Sequence, residues 1–458
     1  MRVVICGAGQ VGYNVASYLA RDGNDVTIVD PEARMIESAM HELDVNGMIG
    51  HYSSPEVLSK AGLADADMII AVGPNDDTNM VACQVAHSLF DTPKKIARIR
   101  NQDYLDPSWN NLFSRDHMPI DLVISPEIEV AQSIYERLSV TGATEAIPVS
   151  QKSVYFIGVI CDENCPILHT QLKQLKTLFP NFFVNIVSIL RDNEALVLDA
   201  NSQVLAGDEV FFMVEPQNLR AVMSYLGIQC EDSRNIVILG GGRVGASLAK
   251  LIDKEDGRSH VKIIETSAKR AEYLASVSPN NLVIHGDGLK MSILREAEVN
   301  RADTIVTVSN EDETNVLCSL QAKYMGAKRA IALIKRSAYT PLLLSSNIDT
   351  IVSPQDVTVS SIMHYVRRGR VKAVHKIRGG NFELIEAITS ETCRIINQPI
   401  RDLRLPNEIK IASIQRDGKF IFPSGDSIIR SGDYVVLFAS SDYARKVDGY
   451  FSSDVELF

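Results

Sequence analysis

Basic residues are in short supply in this 458-residue chain: 46 Lys and Arg stand against 57 Asp and Glu, for a formal charge of −11. That balance disfavours broad electrostatic capture of nucleic acid, which needs clustered Lys and Arg. It equally disfavours docking on anionic lipid through a polybasic patch. No run approaches the ~18–20 apolar residues that span a bilayer, so direct insertion is not expected. Met1 leads straight into the first strand, so the fold is expected to start without a signal peptide. The seven cysteines (6, 83, 161, 165, 230, 318 and 393) are scattered. The closest pair, Cys161 and Cys165, has no second Cys or His group nearby, so free thiols are expected and no metal site. None of the nine histidines pairs with another at helical spacing, and no Gly-Lys-Ser/Thr follows a glycine loop. Zinc and P-loop ATPase chemistry therefore have no support. No linker is rich enough in Pro, Gly or Ser to be flexible, so the lobes are expected to pack on one another.

What is present is one message written twice. The run Gly7-Ala8-Gly9-Gln10-Val11-Gly12 follows an apolar strand, and Gly240-Gly241-Gly242-Arg243-Val244-Gly245 follows another. Each is followed by an acid where a second strand should end, Asp30 and then Glu265. Four further landmarks recur in the same order. Asn75-Asp76-Asp77-Thr78-Asn79 returns as Glu311-Asp312-Glu313-Thr314-Asn315, and Ile124-Ser125-Pro126 as Val352-Ser353-Pro354. Arg191-Asp192 returns as Arg416-Asp417, and Gly207-Asp208 as Gly432-Asp433. The spacing, roughly 230 residues, far exceeds the period of a solenoid repeat. The chain is read as a tandem duplication of a two-part unit with its midpoint near Asp232.

Short apolar runs separated by helical patterns argue for parallel sheets covered on both faces. The fold class is therefore α/β, with two doubly wound Rossmann-type lobes, each followed by a small α+β lobe. The expected boundaries are 1–140, 141–230, 231–370 and 371–458. In each glycine loop the first glycine permits the tight turn, the second lets backbone approach a pyrophosphate, and the third lets helix pack on strand. The helix N-terminus offers free N–H groups and partial positive charge to phosphate. Asp30 and Glu265 can accept from ribose hydroxyls and should repel a 2′-phosphate, which favours NAD(H) or an adenine nucleotide over NADP(H). Arg243 either contacts phosphate or lies on a solvated helix end. The Asp76-Asp77 block lies at the rim of the crevice or caps the next helix, with Gly73-Pro74 and Ser309-Asn310 near the cofactor. Arg98 and Arg100, with Lys335 and Arg336 as counterparts, either approach phosphate or pair with neighbouring acids.

The order glycine loop, acid, "GPNDDTN" or "SNEDETN" block, "IARIR" or "IALIKR" strand, "ISP" or "VSP" helix start, and small lobe ending "GDEVFFMV" or "GDYVVLF" resembles the RCK family, a KTN nucleotide-binding lobe followed by a TrkA-C lobe. The resemblance covers essentially the whole chain. It implies a non-enzymatic regulator: a cytoplasmic ring, a homotetramer, held on the inner face of the cell membrane by a potassium channel subunit of the TrkH/TrkG type. It implies that NAD(H), ATP and ADP bind the lobes and shift the ring between shapes that close or open the pore. Its nucleotide contacts map onto Gly7 to Val11, Asp30, Gly73, Pro74 and Arg98, and in the second copy onto Gly240 to Val244 and Glu265. Ser309-Asn310 and Leu333 depart from Gly73-Pro74 and Arg98, so the second site is expected to differ in ligand preference or strength. Two alternatives remain at this point. One is an NAD-dependent oxidoreductase, for which no proton-transferring His or Lys recurs at a strand end near either loop. The other is the regulatory subunit of a potassium/proton antiporter.

Overall fold

A computed structural model describes residues 1–451, except positions 110, 151, 180–183, 193, 229–233, 337–338, 344–345, 367–370 and 379. Cys230, Asp232 and the 230/231 boundary lie outside the described residues. The other six cysteines are free and buried.

The first sheet is built from β1 (Arg2–Cys6), β2 (Asp25–Asp30), β3 (Asn46–Ile49), β4 (Met68–Ala71), β5 (Lys94–Arg98) and β6 (Leu122–Ile124). Its order is β3-β2-β1-β4-β5-β6 and every pairing is parallel. Helices α1 (Gln10–Arg21), α2 (Ala33–Glu42), α3 (Pro55–Lys60), α4 (Asp76–Phe90) and α5 (Pro126–Leu138) connect or follow these strands. Ile5, Ile28, Ile69 and Ile70 are fully buried, as expected of strands covered on both faces. Strand order reverses between β1 and β4, so the carboxyl ends of those strands open a crevice where ligands bind in this fold.

The same plan recurs with β12 (Asn235–Leu239), β13 (His260–Glu265), β14 (Leu282–His285), β15 (Thr304–Thr307), β16 (Arg329–Leu333) and β17 (Thr350–Val352) in the order β14-β13-β12-β15-β16-β17. Its helices are α8 (Arg243–Glu255), α9 (Ala268–Val277), α10 (Met291–Glu296), α11 (Asp312–Met325), α12 (Thr340–Leu343) and α13 (Pro354–Val366).

Between and after these lie two small antiparallel sheets. The first holds β7 (Glu145–Val149), β8 (Val154–Ile160), β9 (Asn185–Arg191), β10 (Glu194–Ala195) and β11 (Glu209–Val214), with α6 (Leu172–Leu178) and α7 (Leu219–Tyr225). The second holds β18 (Val371–Ile377), β19 (Phe382–Ile388), β20 (Ile409–Arg416), β21 (Lys419–Ile421) and β22 (Tyr434–Ser440), with α14 (Ser441–Phe451). Their orders, β7-β8-β11-β9-β10 and β18-β19-β22-β20-β21, are identical. The two sheets share one apolar core, in which Phe156 stacks on Phe211 and Phe438, and Phe438 stacks on Phe382. The recurring landmarks of these lobes prove to be partners. Arg191 grips Asp208 through two bonds of 2.8 Å, and Arg416 grips Asp433 in the same two-pronged way. Both aspartates are almost wholly buried, where a fork of donors satisfies both carboxylate oxygens.

Compact units do not follow the lobe boundaries. One comprises Met1–Glu129 with Val357–Val366, the other Val130–Asp356 with Arg367–Phe458. Each proline-started helix thus begins in one unit and ends in the other, and a cation of the fifth strand in the receiving sheet meets its C-terminal end. In the first unit Lys94 Nζ donates to Tyr365 O at 3.2 Å and lies 5.0 Å over that ring. In the second, Arg329 donates to the carbonyls of Arg137 (2.8 Å), Val140 (3.4 Å) and Ala143. Cations suit this end because its carbonyls lack helical partners and carry the negative pole of the helix dipole. Burial pushes the Arg329 pKa down to about 10.

Candidate functional site

Both crevices are organised by their glycines. Gly7 has φ +101°, a left-handed backbone, and a Cβ there would sit 2.8 Å from the Gly73 backbone. Gly240 repeats this with φ +105° beside Ser309 and Val308. A Cβ on Gly12 would fall 1.8 Å from Gly7 O, and one on Gly245 would fall 2.0 Å from Gly240 O. These glycines therefore bring helix and turn together, as the third position of the fingerprint requires. The middle glycines behave differently. A Cβ on Gly9 or Gly242 would meet nothing within 4 Å. Each is the N-cap of its helix with extended backbone, φ −63° in both cases. Open space therefore lies beside the first-turn N–H groups, which have no acceptor within the helix, and the positive helix pole, the arrangement that suits an anion. Gln10, Val11, Arg243 and Val244 form the first helical turns on this opening.

The acids are tied to the loops before any ligand arrives. Asp30 accepts from Ala8 N at 2.7 Å and Glu32 N at 2.9 Å. Glu265 accepts from Gly241 N at 2.9 Å and Ser267 N at 2.8 Å. A carboxylate has about four acceptor positions, so each acid keeps room for ribose hydroxyls while fixing its loop.

Opposite each glycine loop stands the turn after β4 or β15, and a buried asparagine shapes it. Asn79 Oδ1 accepts from Gly73 N at 2.9 Å, and Nδ2 donates to Gly73 O at 3.0 Å and Arg98 O at 2.9 Å. Asn315 does the same for Ser309 N, Ser309 O and Leu333 O at 2.8, 3.2 and 2.8 Å. The first acid of each block bonds the segment that follows the next strand. Asp76 accepts from Arg100 N and Asn101 N, and Asp312 from Lys335 N and Arg336 N. No side-chain cap bond forms at Asn75 or Glu311. Recurrence of the whole block pointed at the acids; the Asn that closes it is the residue that shapes the site.

Behind the first turn the side chains are unusual. Arg98 is 8% exposed and donates from Nη2 to Gly73 O at 2.5 Å, while its Nε has no partner among the described residues. Burial, with Arg100 adding, lowers its pKa to about 10. The Tyr52 hydroxyl fills the space a Gly73 Cβ would take, 1.5 Å from it. Burial, then Cys6 and Asp30, raise that phenol to about 12. The structure thus places Gly7–Gly12, Asp30 and Gly73 together, with Pro74 exposed at the rim and Arg98 reaching them through the Gly73 carbonyl. Arg100 pairs with Glu127 at 3.4 Å, Arg336 with Glu313 at 3.0 Å, and Lys335 bonds Asn310 O at 2.8 Å. Tyr52 was not anticipated, since it lies after β3 and is far from both the loop and Gly73 in sequence. In the second copy strand register sets Gly288, Ser309 and Leu333 in the places of Tyr52, Gly73 and Arg98.

Among the described residues, no three His, Cys, Asp or Glu side chains gather as a metal ion would need. No described helix is long and apolar enough to cross a membrane.

The TrkA-N domain model matches residues 3–126 and 236–354, and the TrkA-C domain model matches 157–227 and 384–452. The Trk system potassium uptake protein TrkA of Azorhizobium caulinodans is 42% identical over 458 residues, covering all of both chains. The TrkA of Halomonas elongata is 36% identical, covering 96% of this chain and 95% of its own. Among solved structures, the GsuK channel bound to NAD superposes with a TM-score of 0.60 at 16% identity, covering 98% of this chain and 78% of that one. The GsuK RCK domain gives 0.60 over 98% and 94%. At that identity the likeness is one of fold.

Proposed function

The chain belongs to the TrkA family of Trk-system potassium uptake proteins, and from that premise we propose that it is a nucleotide-binding regulatory subunit of potassium uptake. It works on the cytoplasmic face of the membrane as a ring of identical chains, a homotetramer, and opens or closes a TrkH/TrkG-type channel subunit. The observation that carries this reading is the duplicated crevice: two helix N-termini, each with open space at its middle glycine and a tethered acid alongside. The NAD-bound GsuK channel supports the choice of ligand class through its shared fold.

The first crevice, made of Gly7 to Gly12, Asp30, Gly73, Pro74 and Arg98, and the second, made of Gly240 to Gly245 and Glu265, take nucleotides of the NAD(H), ATP and ADP class and differ in preference or strength. In both, the N–H groups of the loop hold phosphate and the acid holds ribose. A nucleotide can shift the ring only by its difference in affinity between two shapes. The helices α5 and α13, which each begin in one compact unit and end in the other, transmit that difference.

The test uses Gly9→Asp and Gly242→Asp. Both backbones suit an N-cap, where Asp is favoured, and both have room for a side chain. The added carboxylate occupies the anion seat without unfolding the lobe. Calorimetry with NADH, ATP and ADP should show two classes of site, one lost with each variant. In cells carrying the channel partner, potassium-dependent growth should change with the same variants. Wild-type protein that binds none of these nucleotides would overturn the reading. Turnover of NAD⁺ with a small alcohol or amino acid would replace it with the oxidoreductase.

A further inference from the structure

The two glycine loops differ at one inward position, and the difference is compensated twice over. Ala8 in the first loop is Gly241 in the second. The Ala8 methyl is buried, next to the bond its N–H makes with Asp30. A Cβ on Gly241 would instead sit 2.3 Å from Leu274 Cδ1. The two second-strand acids, followed along α2 and α9, set Ala39 in the place of Leu274; both are fully buried. One copy therefore has Ala at both places, and the other has Gly with Leu, whose side chain takes the space a Gly241 methyl would need.

Leu274 fills the space beside the loop, but it does not restrain the backbone. Three consecutive glycines leave the second loop with more conformations to lose than the first. A second substitution supplies the restraint. Arg270, on the first turn of α9, donates from Nε to Gly241 O at 2.9 Å, and its guanidinium lies 4.9 Å over the Tyr273 ring. Glu265 holds Gly241 N from the other side at 2.9 Å. Both polar groups of Gly241 are thus clamped by side chains. The matching residue of the first copy is Met35, which is 43% exposed. There the Ala8 side chain already restricts the turn.

We propose that Arg270 is a positioning residue of the second nucleotide site. It fixes the peptide between Gly241 and Gly242 so that the Gly242 N–H, which in a planar trans peptide points opposite to the Gly241 carbonyl, is held ready for phosphate. A cationic donor on that carbonyl also polarises the peptide and strengthens its N–H as a donor. Arg270 acts through the loop and does not touch the ligand. The inference rests on the second loop binding a nucleotide.

The experiment is done on the full chain carrying Gly9→Asp, so that only the second site reports, with ADP as the probe in calorimetry. Arg270→Met should weaken ADP binding by about fivefold, the scale of freeing one glycine, and should raise exchange of the loop amides. Arg270→Lys, which can still reach the carbonyl, should recover most of the affinity. Arg270→Met combined with Gly241→Ala and Leu274→Ala recreates the first copy and should recover it without any cation. If the parent Gly9→Asp protein binds neither ADP, ATP nor NADH, the second-site assignment itself fails. If the parent binds ADP and Arg270→Met binds it equally well, the positioning role is wrong. Binding lost with Arg270→Met and not recovered in the triple variant would mean that Arg270 contacts the ligand directly, which also overturns the proposal.

Discussion

The first and second glycine loops share every backbone device and almost none of the side chains behind it. The tight turn, the helix–strand contact, the acid tether and the asparagine clamp are common to both. Behind the first turn sit a buried guanidinium and a phenol; behind the second sit Leu333 and Gly288. A duplicated lobe therefore keeps what the main chain needs and lets the supporting shell diverge. The divergence is coordinated: a cation in place of Leu333, beside Ser309, would have Gly288 where the first copy has its phenol.

The comparison can be broken most severely at the shared glycines. Gly12→Ala and Gly245→Ala each drive a methyl into a carbonyl, and each should cost its own lobe more than about 3 kcal/mol. Hydrogen exchange on peptides of the two lobes should show each loss confined to the mutated copy. Leu333→Arg tests whether the backing shells are interchangeable. It buries a cation where Gly288 replaces the tyrosine, at a cost of roughly 3–5 kcal/mol in urea unfolding of the second lobe. Asn79→Ala and Asn315→Ala strip three bonds each from a buried turn, about 2–4 kcal/mol, and equal losses in the two copies would confirm one shared role.

A smaller effect distinguishes the proline-started helices. Glu129 on α5 corresponds to Val357 on α13. Burial, with Ser361 opposing and Glu127 adding, raises the Glu129 pKa to about 7, and its Oε2 has no partner among the described residues. An acid whose folded pKa is raised stabilises the fold fully below its unfolded value near 4.5 and loses that contribution as pH rises through about 7. Glu129→Val, which copies α13, should flatten the fall in thermal stability between those values and leave the variant the more stable at pH 8. The smallest change expected is Arg98→Leu, within about 1 kcal/mol, because losing the bond to Gly73 O is offset by relief of a buried charge. Its effect should appear in NADH affinity at the first site.

Signals that lie within a few residues of one another were legible in the sequence. The glycine loops, the acids ending the second strands, Pro126 and Pro354 at helix starts, and the doubly wound order of strands all stood where local spacing placed them. What depended on distant segments was not legible. Tyr52 reaches Gly73 from beyond β3, an edge strand that β2 and β1 separate from β4. Arg191 and Arg416 recur with Asp208 and Asp433, yet recurrence does not say that each pair is joined. The apolar face of α5 announces burial without saying which sheet will bury it, and an Ala-to-Gly change reads as a loosening until Leu274 and Arg270 are seen around it.

The division of α13 has a consequence for synthesis. Residues 357–366 belong to the compact unit begun by Met1. A ribosome releasing the chain from its N-terminus completes the first sheet early, but it cannot supply that unit's last helix until more than three-quarters of the protein has been made. Until then the surface awaiting Tyr365 and its neighbours is open to solvent or to a chaperone. A gene cut at the midpoint would encode a first half without residues 357–366, leaving that surface of the unit uncovered.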